Sequence, residues 1–306
     1  HIVPANRNFH QSYYTDNAVV SFYQLSDIRN YYDLQSNGSA IQLWQDPANL
    51  DNMHAIYMSS ADPGRTWPDR TMQYFFSSNR GVNWSYVGNA PASGRSGYGM
   101  ITGLPSGAAL IALHGGFGAS TNVRAQFLVD AFAGLGSFTI LDPGGIANKF
   151  SWPKVVLTQP SSAVNKFVFL TSSLSTAGTN EDSAFMNIGT SLSSSSFTGY
   201  KLINAAQAET YALARGADGR IGISYIVDEV RFPADYGSVF YMESTDNGTT
   251  FSTPLKIFSA DFNTDSLGGL RGISMLYQGN SPKVTFETIK QTRNSTYIGG
   301  APNNIR

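Results

Sequence analysis

Apolar residues along this chain recur at every second position in short runs and almost nowhere at helical spacing. Residues 40–44, 54–58, 72–76, 108–113, 166–170, 220–225, 239–242 and 283–286 are such runs, rich in β-branched and aromatic side chains. Clusters of Gly, Asn, Asp, Ser or Pro bound them. Alternation over a few residues between turn formers predicts short β-strands. Residues 124–132 have a helix-compatible composition, but Ala125, Phe127, Val129 and Ala131 alternate, which predicts a strand. The expected fold class is all-β.

Three stretches are nearly alike. They are Ser60-Ala61-Asp62-Pro63-Gly64-Arg65-Thr66-Trp67, Ser77-Ser78-Asn79-Arg80-Gly81-Val82-Asn83-Trp84 and Ser244-Thr245-Asp246-Asn247-Gly248-Thr249-Thr250-Phe251. The shared pattern is Ser-x-Asp-x-Gly-x-Thr-Trp/Phe, with Asn79 and Asn83 as substitutes in the second copy. Its physics is that of a hairpin turn. The Asp or Asn side chain accepts backbone N–H bonds, Gly takes a positive φ, and the aromatic ring anchors the turn from below. Two degenerate echoes, Ala133-Gly134-Leu135-Gly136-Ser137-Phe138 and Ser193-Ser194-Ser195-Ser196-Phe197, end the same way. The anchors Trp84, Phe138, Phe197 and Phe251 are then spaced by 54, 59 and 54 residues. A period of this length with four short strands in each unit predicts the blades of a β-propeller. Trp67 lies too close to Trp84 for a separate blade and is expected to close the preceding hairpin of the same one.

The repeated element resembles the Asp-box, or bacterial neuraminidase repeat, of the sialidase-like β-propellers. That resemblance implies a single propeller domain over residues 1–306, with four-stranded antiparallel blades, five or six in number. The expected blades are 28–90, 91–145, 146–203, 204–260 and 261–306, with residues 1–27 supplying a strand that closes the ring. The boxes themselves, Ser60, Asp62, Gly64, Thr66 and Trp67, Ser77, Asn79, Gly81 and Trp84, and Ser244, Asp246, Gly248, Thr250 and Phe251, are read as structural.

Sialidases bind the sugar carboxylate with three arginines and use a Tyr nucleophile, an activating Glu and an acid/base Asp. Arginine suits the first task because its planar fork pairs bidentately with a carboxylate. Carried over residue by residue, the resemblance offers Arg29 at the start of the first blade, although Asn30-Tyr31 replace the family's Ile-Pro. It offers Asp46 as acid/base and Tyr297 as nucleophile by position. Glu209, followed by Asp218-Gly219-Arg220-Ile221, is similar to the family's Glu before an Asp-Gly-x-Leu strand, but Tyr225 stands where an Arg is expected. Arg271 is a third arginine in the last blade. The plainer reading makes Arg29, Arg95 and Arg271 solvated or paired channel residues and Glu209 a surface or channel carboxylate.

Composition narrows the classes. There is no cysteine, which excludes disulfide scaffolds, thiol nucleophiles and cysteine-based metal sites. The balance of 20 basic against 21 acidic residues lacks a nucleic-acid footprint. No apolar run approaches the ~20 residues of a membrane-spanning helix. The four histidines, at 1, 10, 54 and 114, have no metal-ligand spacing, and His114 before Gly115-Gly116 is expected in a blade-edge loop. No cofactor and no metal are expected. Tyrosine is abundant, with pairs at Tyr13-Tyr14 and Tyr31-Tyr32. Such aromatics pack between blades or, when exposed, stack on sugars and anchor interfaces. A polar but weakly charged composition suits an exported bacterial protein, in the medium or at the cell surface. Low net charge leaves little repulsion between copies, so a homo-oligomer or filament fits. The leading expectation is a non-catalytic module that binds a glycan or a surface protein, or builds an extracellular assembly. The alternative is a sialidase-like glycoside hydrolase.

Overall fold

The computed structural model describes residues 25, 30–32, 41–64, 66–91, 94–116, 123–145, 150–158, 166–173, 184–192, 196–203, 210–227, 234–261, 266–290 and 304–305. Arg29, Glu209, Tyr297 and the expected strand before residue 28 lie outside these.

The described residues form five antiparallel sheets. The first holds β1 (Leu43–Gln45), β2 (Met53–Ser59), β3 (Thr71–Ser77) and β4 (Ser85–Ala90). The second holds β5 (Ser96–Gly103), β6 (Ala109–Gly116), β7 (Val123–Asp130) and β8 (Phe138–Leu141). The third is β9 (Ser151–Leu157), β10 (Phe167–Ser172), β11 (Ala184–Gly189) and β12 (Lys201–Ile203). The fourth is β13 (Tyr211–Arg215), β14 (Ile221–Ile226), β15 (Val239–Ser244) and β16 (Leu255–Phe258). The fifth has three strands, β17 (Leu267–Gln278), β18 (Ser281–Lys290) and β19 (Asn304–Ile305). Strands follow chain order within every sheet. This is the up-and-down blade of a propeller, and of residues 124–132 those up to Asp130 indeed enter a strand. His114 is inside β6, not in a loop: it pairs with Gly97 and Ala125 in the neighbouring strands, and its side chain is buried.

Four hydrophobic clusters hold the sheets together, each between consecutive ones. Ile56, Met72 and Tyr74 of the first sheet meet Ile101, Ile111 and Leu113 of the second. Leu110, Ala112 and Phe127 then meet Val155, Phe167 and Phe169 of the third. Val168 and Leu170 meet Leu213, Ile221 and Ile223 of the fourth, and Ala212, Ile226 and Val239 meet Ile273, Met275 and Phe286 of the fifth. Inner sheets are therefore buried on both faces. That is why residues 108–113 are apolar throughout and do not alternate as expected: Ala109, Ile111 and Leu113 face one neighbour, and Leu110 and Ala112 the other. Each fully buried large side chain contributes about 1.5–3 kcal/mol. The turn anchors belong to this packing. Phe138 packs on Tyr74 of the preceding sheet, with ring centroids 5.6 Å apart. Phe197 packs on Phe127, and Phe251 joins the cluster that contains Val168.

The first strand of every sheet lines a shared axial cavity of about 450 Å³. Its walls are Trp44 and Asp46, Leu104 and Pro105, Leu157, Arg215, and Tyr277, all at the C-terminal ends of β1, β5, β9, β13 and β17. The five inner strands therefore run the same way along the axis. Connections β1–β2 and β3–β4, with their counterparts in other blades, lie at this end. We call it the turn end. Connections β2–β3 and the passages between blades lie at the opposite end.

Two repeats show the expected turn chemistry. In the β3–β4 turn, Ser77 Oγ accepts the N–H of Gly81 (2.9 Å) and Asn79 Oδ1 accepts the N–H of Asn83 (2.9 Å). In the β15–β16 turn, Ser244 Oγ accepts from Gly248 (2.8 Å), and Asp246 Oδ1 accepts from Thr249 (3.0 Å) and Thr250 (2.8 Å). Gly81 and Gly248 take φ of 79° and 80°, which a Cβ would oppose. The first repeat folds differently. It spans the β2–β3 loop at the opposite end, and Ser60 donates to Asp69, not to Asp62. Among the described residues Asp62 accepts within its own local turn, from Gly64 (2.9 Å). The echo before Phe138 keeps the carboxylate but moves it. Asp130, at the end of β7, accepts the N–H groups of Leu135, Gly136 and Ser137, each at 3.1 Å.

Candidate functional site

At the end of the ring opposite those turns, three inner strands carry β-bulges near their N-termini. In β5, Tyr98 and Gly99 together oppose one residue of β6, since Gly97 pairs with His114 and Met100 with Ala112. In β9, Trp152 and Pro153 oppose Thr171. In β17, Leu270, Arg271 and Gly272 oppose Glu287, and Gly272 N–H donates to Glu287 Oε1 at 3.0 Å. Bulges gather beside active sites because they re-aim a side chain. Tyr98 and Trp152 adopt φ of 53° and 55°. Bulky residues there are outliers that cost on the order of 1–3 kcal/mol each. Trp67, in the β2–β3 loop above them, has φ 41°.

These residues converge with others. Gly97 is required at its place, since a Cβ there would come within 2.7 Å of Met58 Sδ and 3.0 Å of Arg70 Nε. The backbone of β5 thus lies against Arg70, at the start of β3. Arg70 Nε donates to the Ser96 carbonyl (3.2 Å) and its Nη1 to the Tyr32 hydroxyl (3.4 Å), while Nη2 lies 3.5 Å from His114 Nε2. Its guanidinium stands 5.4 Å from the Tyr32 ring centre and 5.0 Å from that of Tyr98. The Tyr32 and Tyr98 hydroxyls share a hydrogen bond of 2.5 Å. Trp152 closes the group, with ring centroids 4.3 Å from Tyr98 and 4.6 Å from His114. Arg95, immediately before β5, donates to the Thr66 carbonyl at 3.2 Å.

The electrostatics are unbalanced. Among the described residues, no carboxylate pairs with Arg70 or Arg95. Burial, then the charge of Arg70, lowers the Arg95 pKa. Burial, then the charges of Arg70 and Arg95, holds the His114 imidazole well below its ordinary range, so it is neutral at pH 7. Burial and the Tyr32 hydrogen bond push the Tyr98 phenol up, so it stays protonated. Three buried nitrogens here, Trp67 Nε1, Arg95 Nε and His114 Nδ1, have no hydrogen-bond partner among the described residues. Buried polar atoms are nearly always paired, so these three leave room for a ligand or solvent, as do six further atoms elsewhere, His54 Nε2 at the turn end among them. Two guanidiniums without a counterion suit an anion.

The residues proposed from sequence fall unevenly on this frame. Arg271 lies within the β17 bulge at the same end as Tyr98 and Trp152. Arg29, Glu209 and Tyr297 are outside the described residues, while Asn30, next to Arg29 in sequence, bonds Met58 O (2.9 Å) and the N–H of Ser60 (3.0 Å). Asp46 is at the turn end, following β1, where its buried carboxylate accepts the N–H of Ala48 at 2.8 Å. Asp218 and Arg220, beside the Glu209 motif, form an ion pair of 2.8 Å in the β13–β14 turn, extended to Glu243 at 3.0 Å. Of the five, only Asp46 and Arg271 lie among the described residues, and their places in the chain are at opposite ends of the ring. Sequence reasoning missed Arg70 and Tyr98. A tyrosine flanked by two glycines at a strand's start was the available signal for a bulge. Among the described residues, no group of His, Asp and Glu could hold a metal.

No family model and no curated protein matches the sequence. By fold the chain is similar to an ulvan lyase of polysaccharide lyase family PL25, with TM-score 0.53 and 11% identity over 89% of this chain and 70% of that one. It is similar to the GH93 α-L-arabinofuranosidase of Fusarium graminearum, solved with arabinobiose, with TM-score 0.51 and 11% identity over 83% and 71%. A protein of unknown function from Dyadobacter fermentans gives TM-score 0.50 and 13% identity over 91% and 86%. These likenesses show the propeller fold and by themselves no activity.

Proposed function

We propose that the chain cleaves a carboxylate-bearing glycan at the bulged end of the ring, in the manner of a glycoside hydrolase. The observation that carries this reading is the pair Arg70 and Arg95, without a described carboxylate partner, beside Tyr98, His114 and Trp152. Arginine forks orient a sugar carboxylate, and the protonated Tyr98 is placed to donate to a leaving oxygen. Glu209, Arg271 and Tyr297 are the hydrolytic candidates to be added to this group. The two similar enzymes of stated activity both act on glycans, which favours cleavage over a purely binding or assembling role. An extracellular setting fits the polar, weakly charged composition.

A second reading, β-elimination, is favoured by one observation: among the described residues, no carboxylate hydrogen-bonds to Tyr98 or His114. In that route the arginines neutralise the uronate carboxylate and make its α C–H acidic. His114 Nε2, the nitrogen that faces the Arg70 donor and so carries no hydrogen, takes that proton, the C–O bond to the leaving sugar breaks, and Tyr98 protonates the departing oxygen. A bound carboxylate also offsets the two positive charges that weaken His114 as a base.

The test is a panel of chromogenic glycosides, including a sialoside and an α-L-arabinofuranoside, together with alginate and polygalacturonate. The purified chain is compared with Tyr98→Phe and Glu209→Ala. New reducing ends without near-ultraviolet absorbance, lost in Glu209→Ala, support hydrolysis. Reducing ends with the absorbance of an unsaturated uronate, lost in Tyr98→Phe, support elimination. No cleavage of any substrate overturns the enzymatic reading.

A further inference from the structure

We infer that Tyr98 and Trp152 form a stacking corner for the apolar face of a sugar ring. This rests on the reading of the bulged end as a glycan site. The two residues occupy corresponding bulges in the inner strands of consecutive blades, and both hold positive φ. Their rings meet at 70° with centroids 4.3 Å apart, and both are half-buried. Arg70 stands over the Tyr98 ring at 5.0 Å, so the Trp152 indole is the wall for the C–H face of a pyranose and the Tyr98 ring borders its edge. The polarised C–H groups of a sugar suit the electron-rich face of an indole. Arg95, directly before β5, is placed to take the ring's carboxylate.

The neighbouring blade supplies an internal control. At the start of β13, Tyr211 is fully buried, and β13 pairs with β14 without a register shift. An ordinary core aromatic at this place in a blade thus needs no bulge. Tyr211 instead supports the unusual one: its hydroxyl donates to the Trp152 carbonyl at 2.7 Å. Tyr211 is itself held through its carbonyl by Lys154 Nζ at 2.8 Å. The strained residue is fixed from the next blade, as a residue whose orientation matters would be.

The experiment is affinity electrophoresis of the full chain through gels containing polygalacturonate, alginate or neutral xylan, with cleavage and thermal unfolding measured on the same samples. Trp152→Ala is expected to weaken retention on the acidic glycans about tenfold, Trp152→Phe to keep most of it, and Trp152→Gly to weaken it as much as alanine does with a smaller fall in Tm than alanine gives, since glycine accepts the φ. Retention by Trp152→Ala equal to the parent overturns the inference, whatever the cleavage assay shows. Retention that depends on Trp152 in a chain that cleaves nothing keeps the corner and removes the enzyme. A parent chain that is neither retained nor active removes both.

Discussion

The two ends of the ring use the same backbone differently. At the turn end, hairpins close on their own side chains: Ser77 and Asn79, Asp130, and Ser244 and Asp246 each satisfy the N–H groups of the turn they begin. The Thr250 hydroxyl, then backbone N–H groups and Ser244, hold the Asp246 carboxyl well below the usual range. At the bulged end, Tyr98 and Trp152 sit in unfavourable φ, two arginines lack a described counterion, and three buried nitrogens lack described partners. Polar groups that satisfy one another stabilise a fold, whereas groups left pointing at an empty partner are held for something else. The difference teaches where to look for chemistry in a fold whose blades are otherwise alike.

The largest effect is expected from Arg70. Arg70→Met should lower kcat/KM on an acidic glycan by about 10²–10³-fold, the usual consequence of removing one positioned charge. Arg70→Lys should recover part of it, because the charge returns without the bidentate fork. Asp246→Ala at the other end should leave kcat/KM unchanged. Equal losses in Arg70→Met and Asp246→Ala would break the comparison between the ends.

Next in size is a pH effect, since each end buries a neutral histidine. His54 is wholly buried, bonded to the Tyr74 hydroxyl at 2.7 Å, and burial lowers its pKa to about 4 against the opposing charges of Asp130 and Asp46. The unfolded chain, with an ordinary histidine near 6.5, binds the extra proton first. Its contribution is therefore complete above about pH 6.5 and is lost as the pH falls toward 4, by about 3 kcal/mol. Denaturant unfolding across that range should show a shallower slope in His54→Gln than in the parent. His114 shifts the same way, but two arginines share the cause. An acidic oligosaccharide should therefore flatten the His114 part of the slope and leave the His54 part intact.

Much of the fold was legible because turn and strand chemistry are local. Alternation marked the strands, and the anchor period of Trp84, Phe138, Phe197 and Phe251 marked the blades. The Ser60 repeat misled because a match of residue types does not specify which carboxylate is in reach. Asp69, beyond the motif, reaches Ser60 and the N–H of Ala61, and those bonds lower its pKa although burial raises it. The bulged end was largely illegible. Arg70, Arg95, Tyr98, His114 and Trp152 come from two blades and part of a third, and their meeting depends on non-local packing and on bulges that no spacing rule encodes. Arg95 reads from sequence only as a channel residue, and nothing local sets Trp152 apart from the other aromatics.

The turn end itself predicts a moderate effect on stability. Ser77→Ala removes the acceptor for the Gly81 N–H and a donor to Asn79 Oδ1, both at 2.9 Å in a buried position. The expected cost is about 1–2 kcal/mol, or roughly 2–4 °C in Tm, with glycan retention unchanged. Ser60→Ala, whose hydroxyl serves the β2–β3 loop above Arg70, should differ by reducing retention as well. If both variants changed only Tm, the β2–β3 loop would belong with the structural turns.

The smallest effect separates strain that is incidental from strain that is used. Arg80 occupies the turn of the second repeat at φ 57°, as Asn247 does in the fourth blade at 60°. Its exposed ion pair with Asp51, at 2.8 Å with side chains 67% and 55% accessible, is worth at most about 1 kcal/mol. Arg80→Gly loses that pair but relieves the backbone, while making the unfolded chain more flexible. The opposing contributions should leave stability within about 1 kcal/mol and the salt dependence of Tm slightly reduced. Trp152→Gly makes the same backbone change at nearly the same φ but also empties the ring contacts to Tyr98 and His114, so it should fall further in Tm and, unlike Arg80→Gly, lose glycan retention. A common response in both assays would mean that positive φ at the bulged end is turn geometry and no more.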